Sequence, residues 1–507
     1  MKNYRILLLS FLALFTSRCD LNEESPFLGN ETVFSSASNM EAALDGVYEG
    51  MAGYNYAGSQ FFYLNTMGSG FGVTKRGGDI NTNADNTTLC ALKPTSAATY
   101  VENTWYGMYT VIERANTIIT YGKTYLNPVN DEQIKSNEIV GQALFLRAFT
   151  YFNLVRFWGD VPLRLEPMDA ATVYKTKTSE KIVYDQIIVD TKRATELMSG
   201  ALGLGYPKGD VGYMLLAKVY MTLATAPVAF QDTGLNYWQM AHDAAIQLYQ
   251  KYELVSDYAD LFDEATGDNT SESIFELQYT LGASSDFKRA YTPSNYTKAA
   301  TFGFLKVNAD VYDLHETTYP GDPRLATTYI SEYTQQHNNS LFRSYPSNPQ
   351  RKNFRAGFPY LRKLGSKYPE NTISEGNRNI ILYRYADLLI MLSEITNELQ
   401  NGDALQYVNE VLQRNGLFPH QGYLGTQDEF RTAIMKEYQF ELLMEGQDWF
   451  NNRRRGYMYF LDEVVLPHNN YSKFKASVDV TLETDEAIIM KLPFPASEIN
   501  TNQEISD

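Results

Sequence analysis

Apolar positions along this 507-residue chain recur three and four residues apart over most of its length. That spacing puts side chains on one face of an α-helix. Trp105, Met108, Ile112, Ala115 and Ile119 form one such row, and Tyr385, Leu388, Leu392, Ile395 and Leu399 repeat it far downstream. Between Glu138 and Phe157 two neighbouring rows are apolar, Leu144, Ala148, Tyr151, Val155 and Phe145, Phe149, Phe152. A helix apolar over so wide an arc must be covered on more than one side. The same spacing predicts helices over 181–198, 210–224, 237–249, 403–414 and 430–445. Short breaks with Pro128 or Pro207 separate several of them, so successive helices pair. Ala148 with Tyr151 and Ala217 with Tyr220 repeat a small residue followed by a tyrosine one turn later. The small residue lets helices approach closely and the ring fills the next groove, as in tetratricopeptide-like helix pairs.

Two stretches break the pattern. Residues 53–99 and 280–350 are rich in Gly, Asn, Ser, Thr, Pro and aromatics without sustained periodicity, and long irregular stretches in a compact protein are usually functional. Ser273 to Tyr279 alternates apolar and polar residues, which predicts a short strand leading into the second stretch. The expected architecture is therefore mainly α. A helical scaffold over about 38–52, 101–260 and 380–456 carries a loop-rich binding lobe over about 53–100 and 280–379.

The N-terminus follows a different logic. Lys2 and Arg5 precede an apolar run from Ile6 to Phe15, then Cys19, then the acidic Asp20, Glu23 and Glu24. The run is too short to span a bilayer, so residues 1–18 read as a signal peptide. A cysteine directly after it points to bacterial lipoprotein processing, with a lipid on Cys19. Arg18 and Thr16 depart from the usual residues before such a cysteine, and cleavage elsewhere would release a soluble periplasmic protein instead. Cys90 is the only other cysteine, so with Cys19 acylated no disulfide can form.

Composition narrows the partners. The formal charge of −17 repels phosphate backbones and excludes nucleic acid as a partner. With 38 Tyr and 27 Phe the chain is 14% aromatic. Tyrosine offers a flat apolar face and a hydroxyl, which suits sugar rings as well as helix interfaces.

Six blocks in order resemble the SusD/RagB family of outer-membrane nutrient-binding lipoproteins. The strongest runs from Gly141 to Leu163, with Arg147, Ala148 and Tyr151 on a helix closed by Phe157-Trp158-Gly159-Asp160-Val161-Pro162-Leu163. Trp105, Tyr109, Ile112 and Asn116 precede it. Asp322-Pro323-Arg324-Leu325, then Arg384 to Leu389, then Glu441, Leu442, Glu445 and Gly446 with Arg453 and Arg454, and finally Leu492 to Glu498 follow it. The resemblance implies four tetratricopeptide-like helix pairs carrying an irregular binding lobe. It also implies non-catalytic capture of a glycan at the bacterial outer-membrane surface and delivery to a SusC-like, TonB-dependent barrel. In the family an aromatic arc comes from the loop before the Trp105-type helix and from the insertion ahead of the Asp-Pro-Arg-Leu block. Those regions are 77–100 and 281–320 here, and they hold the candidate glycan contacts Asn81, Asn83, Asp85, Tyr100, Tyr291, Tyr296, Phe302 and Phe304.

Other chemistry is thinly represented. Glu437, Glu441 and Glu445 recur every fourth residue and are expected on one helical face. Two carboxyls about 5 Å apart could serve a retaining glycosidase, whereas the structural alternative is ion pairing with Arg453, Arg454 or Arg455. Asp79, Asn81, Asn83 and Asp85 alternate as in a calcium loop, but Ala84 stands at the turn glycine and Cys90 at the bidentate glutamate. The run reads as a polar loop, with calcium the lesser alternative, and no other cofactor is implied. Five scattered histidines, no CxxC and no GxSxG leave neither a transition-metal site nor a nucleophile. Two rival functions stay open: a helical glycoside hydrolase using Glu441 and Glu445, and a scaffold whose helix pairs bind peptide.

Overall fold

The computed structural model describes residues 30–76, 79–80, 84–280, 285–346, 357–473 and 479–505. Helices dominate, and the periodic stretches fold as helices with ends close to those expected: Thr99–Tyr121, Asp131–Trp158, Glu180–Leu197, Val211–Thr225, Tyr385–Leu399 and Ala404–Arg414. Polar caps set several starts. Ser36, Asn130 and Asp403 each accept a backbone N–H of the first turn, and Thr426 with Glu429 forms a reciprocal capping box. Gly159, at φ 79°, ends the Asp131–Trp158 helix in a backbone region that disfavours other residues.

The helices pack as four pairs: Ala37–Ala52 with Thr99–Tyr121, Asp131–Trp158 with Glu180–Leu197, Val211–Thr225 with Tyr237–Ala245, and Tyr385–Leu399 with Ala404–Arg414. Asp131–Trp158 lies centrally and is buried along nearly its whole length from Ser136 onward, as its two apolar rows require. Inside it Arg147 grips Asp190 with two hydrogen bonds of 2.8 Å and donates to Asn116 Oδ1 at 2.9 Å, tying three helices together. The C-terminal block folds back across the same helices. Trp158 Nε1 donates to the carbonyl of Pro493 at 2.9 Å, and Leu492 N to that of Phe157 at 2.8 Å.

The lobe differs from expectation in one respect. The stretch 53–100 contains two helices, Gln60–Gly68 and Ala84–Cys90. Every residue of the first is buried, so it presents no polar face and leaves no periodic trace in the sequence. A Cβ on Gly68 would sit 2.5 Å from the Trp449 ring, so the glycine permits that packing. Two predicted helices also stop early: Tyr237–Ala245 ends before Tyr249, and Gln427–Leu442 ends before Glu445.

Strands organise the rest of the lobe. β1 (Gly72–Arg76), β2 (Asp79–Ile80), β4 (Leu305–Val307), β5 (Tyr329–Ile330) and β8 (Tyr360–Leu361) form an antiparallel sheet in the order β2-β1-β4-β8-β5. Gly72 lies opposite Val307, and Lys306 opposite Tyr360. The predicted strand is β3 (Ser273–Leu277), which pairs through a bulged register with β9 (Ile380–Arg384). This pair joins lobe to scaffold, because β9 runs directly into the Tyr385–Leu399 helix.

Candidate functional site

Tyr63, on the buried Gln60–Gly68 helix, is the centre of an aromatic group built from both irregular stretches. Its ring meets Tyr100 at 6.3 Å, Phe287 at 6.4 Å, Tyr291 at 6.2 Å and Phe304 at 5.5 Å, mostly edge to face. Its hydroxyl donates to Asp286 Oδ2 at 2.9 Å. Burial and then the Asp286 charge hold the phenol well above its ordinary pKa, so it stays a neutral donor, while burial raises the pKa of Asp286 itself.

The expected contact residues divide by exposure. Phe302 is 45% exposed, and the Arg289 guanidinium lies 4.6 Å from its ring centre. Phe304 and Tyr100 are half-buried, resting on Tyr63 with part of each ring open. Burial, and then nearby Tyr54, push the Tyr100 hydroxyl up to about 12. Tyr291 is a correction: it is fully buried, shares a 3.1 Å hydrogen bond with Thr66, and has no face for a ligand. Tyr296 is also buried, against Tyr333 in a small cluster under the β6–β7 hairpin (Glu332–Thr334 and Leu341–Arg343), with its hydroxyl donating to the Lys367 carbonyl. Asp85 accepts the backbone N–H of Thr99 at 3.0 Å and so braces the start of the helix that carries Tyr100. Asn81, Asn83 and Cys19 lie outside the described residues, which leaves Asp79 and Asp85 as the ends of the calcium-like run within them. Among the described residues no group of three His, Cys, Asp or Glu is placed to hold a metal ion.

Sequence reasoning missed Tyr54, which is 58% exposed beside Tyr100, and the Arg289–Phe302 stack. Tyr54 stands inside the irregular stretch already singled out, so its position was a usable signal. The Arg289 contact depends on a chain reversal, and no sequence spacing announces it.

The three glutamates proved structural. Glu437 and Glu441 share the Gln427–Leu442 helix, but Glu445 lies beyond its end, after Met444 at φ 59°. All three nonetheless converge in one buried ion cluster. Arg324 Nη1 meets Glu437 at 2.5 Å and Glu441 at 2.9 Å. Arg384 meets Glu272 at 2.8 Å, Glu441 at 2.6 Å and Glu445 at 2.8 Å. Arg414 adds Glu272 and Glu441, and Lys363 adds Glu445 at 2.7 Å. The partners are thus not Arg453 to Arg455 as anticipated. Arg454 and Arg455 pair with Glu394, and Arg453 donates to the carbonyls of Ile489 and Gly68 while stacking on Trp449. Burial alone would raise Glu441 and Glu445, but the surrounding cations hold both below the ordinary carboxylate value. A glycosidase acid needs the opposite shift.

The cluster also accounts for three of the sequence blocks at once: Asp322-Pro323-Arg324, Arg384 and Glu441 to Glu445 are distant in sequence and share one buried charge network. Residues 271–507 match the family model described as the SusD family, and residues 21–221 match a second described as starch-binding, associating with outer membrane. The chain belongs to the SusD/RagB family. Proteins of that family bind carbohydrate without cleaving it. A curated relative, SusD-like protein P2 of Formosa agariphila, is 27% identical over 488 residues, covering 90% of this chain and 91% of the relative. Among solved structures, a SusD homolog from Bacteroides thetaiotaomicron superposes with a TM-score of 0.77 at 19% identity, over 94% of this chain and 97% of that one. Surface glycan-binding protein A of the same species, in complex with laminarihexaose, superposes with a TM-score of 0.69 at 19% identity, over 92% and 98% of the two chains. This member of the SusD/RagB family therefore has the family's fold, and its mainly helical architecture is as expected.

Proposed function

We propose that this SusD-family chain captures an oligosaccharide on the aromatic surface around Tyr63 and passes it, uncleaved, to a SusC-like TonB-dependent barrel. A lipid on Cys19 holds it at the outer-membrane surface. One observation carries the reading: half-buried Tyr100 and Phe304 both rest on the buried Tyr63 ring, with exposed Tyr54 beside Tyr100 and exposed Phe302 two residues before Phe304. Sugar C–H faces stack on such rings, and because the rings are already braced little side-chain entropy is lost on binding. Stacking and hydrogen bonding need no cofactor. The laminarihexaose held by the glycan-binding relative of like fold supports a glycan as the ligand class.

Isothermal titration against a panel of neutral oligosaccharides tests the capture step, with Phe302→Ala and Tyr100→Ala as the variants. Binding that weakens in both supports it. No binding at millimolar concentration, or affinities untouched by both changes, would sink it. Labelled-lipid incorporation lost in Cys19→Ser tests the anchor, and co-purification with a TonB-dependent barrel tests the handover.

A further inference from the structure

A small cavity lies where the last turn of Asp131–Trp158 meets the Val211–Thr225 and Tyr385–Leu399 helices and the segment 438–454. Arg156, Lys218, Arg454, Tyr438 and Gln447 line it, and its volume of about 20 Å³ holds one water-sized species. Three cations around so small a space are unusual in a chain of charge −17.

Two of the three are answered by carboxylates. Lys218 meets Asp387 at 2.7 Å. Arg454 pairs with Glu394, which also serves Arg455, and Arg455 reaches Glu398 at 2.6 Å. Arg156 has no carboxylate within ion-pair distance among the described residues. Its Nε donates to the Phe152 carbonyl at 2.9 Å and its Nη2 to Asn153 Oδ1 at 2.5 Å. The guanidinium plane is sandwiched by the Phe152 and Phe450 rings at 3.6 and 3.5 Å, which leaves Nη1 as its open edge. The buried Tyr438 hydroxyl interacts with Glu394 without good hydrogen-bond geometry, so it can turn to another acceptor. Burial lowers Arg156 to about 10, so it stays cationic at neutral pH. Arg156 is half-buried, and a cation that has given up much of its water and has no counter-charge is costly.

We propose that this cavity binds one halide-sized monovalent anion, chloride in a saline medium, held by Arg156, Lys218 and the Tyr438 hydroxyl. The anion supplies the charge that Arg156 lacks and ties the end of the central helix to three neighbouring segments. The opposing charges, Asp387 and Glu394, are already matched by Lys218 and by Arg454 with Arg455. Asp387 Oδ1 is buried without a partner, so a water is the competing occupant. Sulfate and phosphate are too large for the space.

The test uses the full chain. Crystals soaked in sodium bromide should show an anomalous peak in this cavity beside Arg156. Thermal unfolding in sodium chloride against sodium gluconate, at equal ionic strength, should give a Tm higher by roughly 2–3 °C at a hundredfold excess over Kd for a chain this long. Arg156→Met should fold without the ion and lose that shift, and sodium sulfate should not reproduce it. Tyr438→Phe, which keeps the packing, should weaken halide affinity several-fold and carries the test should Arg156→Met fail to fold. A bromide-free cavity holding only water, a chloride shift that survives Arg156→Met, or an unchanged affinity in Tyr438→Phe would overturn the proposal.

Discussion

Replacing Glu441 with glutamine separates a structural carboxylate from a catalytic one. The side chain is fully buried and takes hydrogen bonds from Arg384 at 2.6 Å, Arg414 at 2.5 Å and Arg324 at 2.9 Å. Glutamine keeps the shape but removes the charge, and it turns an amide N–H₂ toward at least one guanidinium donor. One effect opposes the loss. The cluster holds five carboxylates, Asp322, Glu437, Glu441, Glu445 and Glu272, against four cations, Arg324, Arg384, Arg414 and Lys363, so losing one negative charge evens the total. The close contacts outweigh that balance, because every remaining arginine keeps its buried charge while Arg384 and Arg414 lose their shortest partner and Arg324 its third. Breaking a buried pair on one side costs about 3–5 kcal/mol, and the improved balance places Glu441→Gln near the low end, at about 3 kcal/mol. Guanidinium unfolding monitored by far-UV circular dichroism reads this as a lowered midpoint with an unchanged slope. Oligosaccharide affinity should not change, since among the described residues no hydrogen bond, ion pair or ring contact joins the cluster to the Tyr63 group. A loss of under about 1 kcal/mol would refute the ion-cluster argument. Reducing-sugar release by the wild type, abolished in the variant, would restore the hydrolase reading.

Three further outcomes rest on the same packing and charge pairing. Phe302→Ala should weaken oligosaccharide binding about fivefold, because covering the remaining 45% of the ring contributes only about 1 kcal/mol; titration calorimetry measures this. Tyr291→Phe should lower stability by about 1 kcal/mol, by leaving Thr66 without its partner, and leave glycan affinity as it was, which denaturant unfolding and titration together check. Burial would raise Glu394, but Arg454 and Arg455 outweigh it and bring its folded value to about 2 from an ordinary 4.5. The unfolded chain therefore takes up this proton first as pH falls. The stability Glu394 confers, about 3 kcal/mol, is present above about pH 4.5 and disappears toward pH 2. The stability gap between wild type and Glu394→Gln should accordingly shrink from pH 7 to pH 3 in parallel unfolding curves.

The amino-acid sequence by itself determined the helices and their pairing, because a core-facing stripe repeats with the helical period and needs no knowledge of its neighbours. Trp105 to Ile119 and Tyr385 to Leu399 were legible on that basis, as was the β3 alternation. The Gln60–Gly68 helix was invisible for the converse reason: buried on all sides, it has no polar face against which a period could show. Composition could place an aromatic surface in the two irregular stretches but not say which rings open outward. Phe302 and Tyr291 have the same apolar character and stand eleven positions apart, yet one is exposed and the other lies under Tyr63. The partners of the glutamates were misassigned because sequence reasoning favours nearby cations. Arg324, Arg384 and Lys363 reach Glu437, Glu441 and Glu445 only after the lobe closes on the scaffold. Exposure and long-range charge pairing depend on how separate segments meet, and that is settled by the tertiary fold alone.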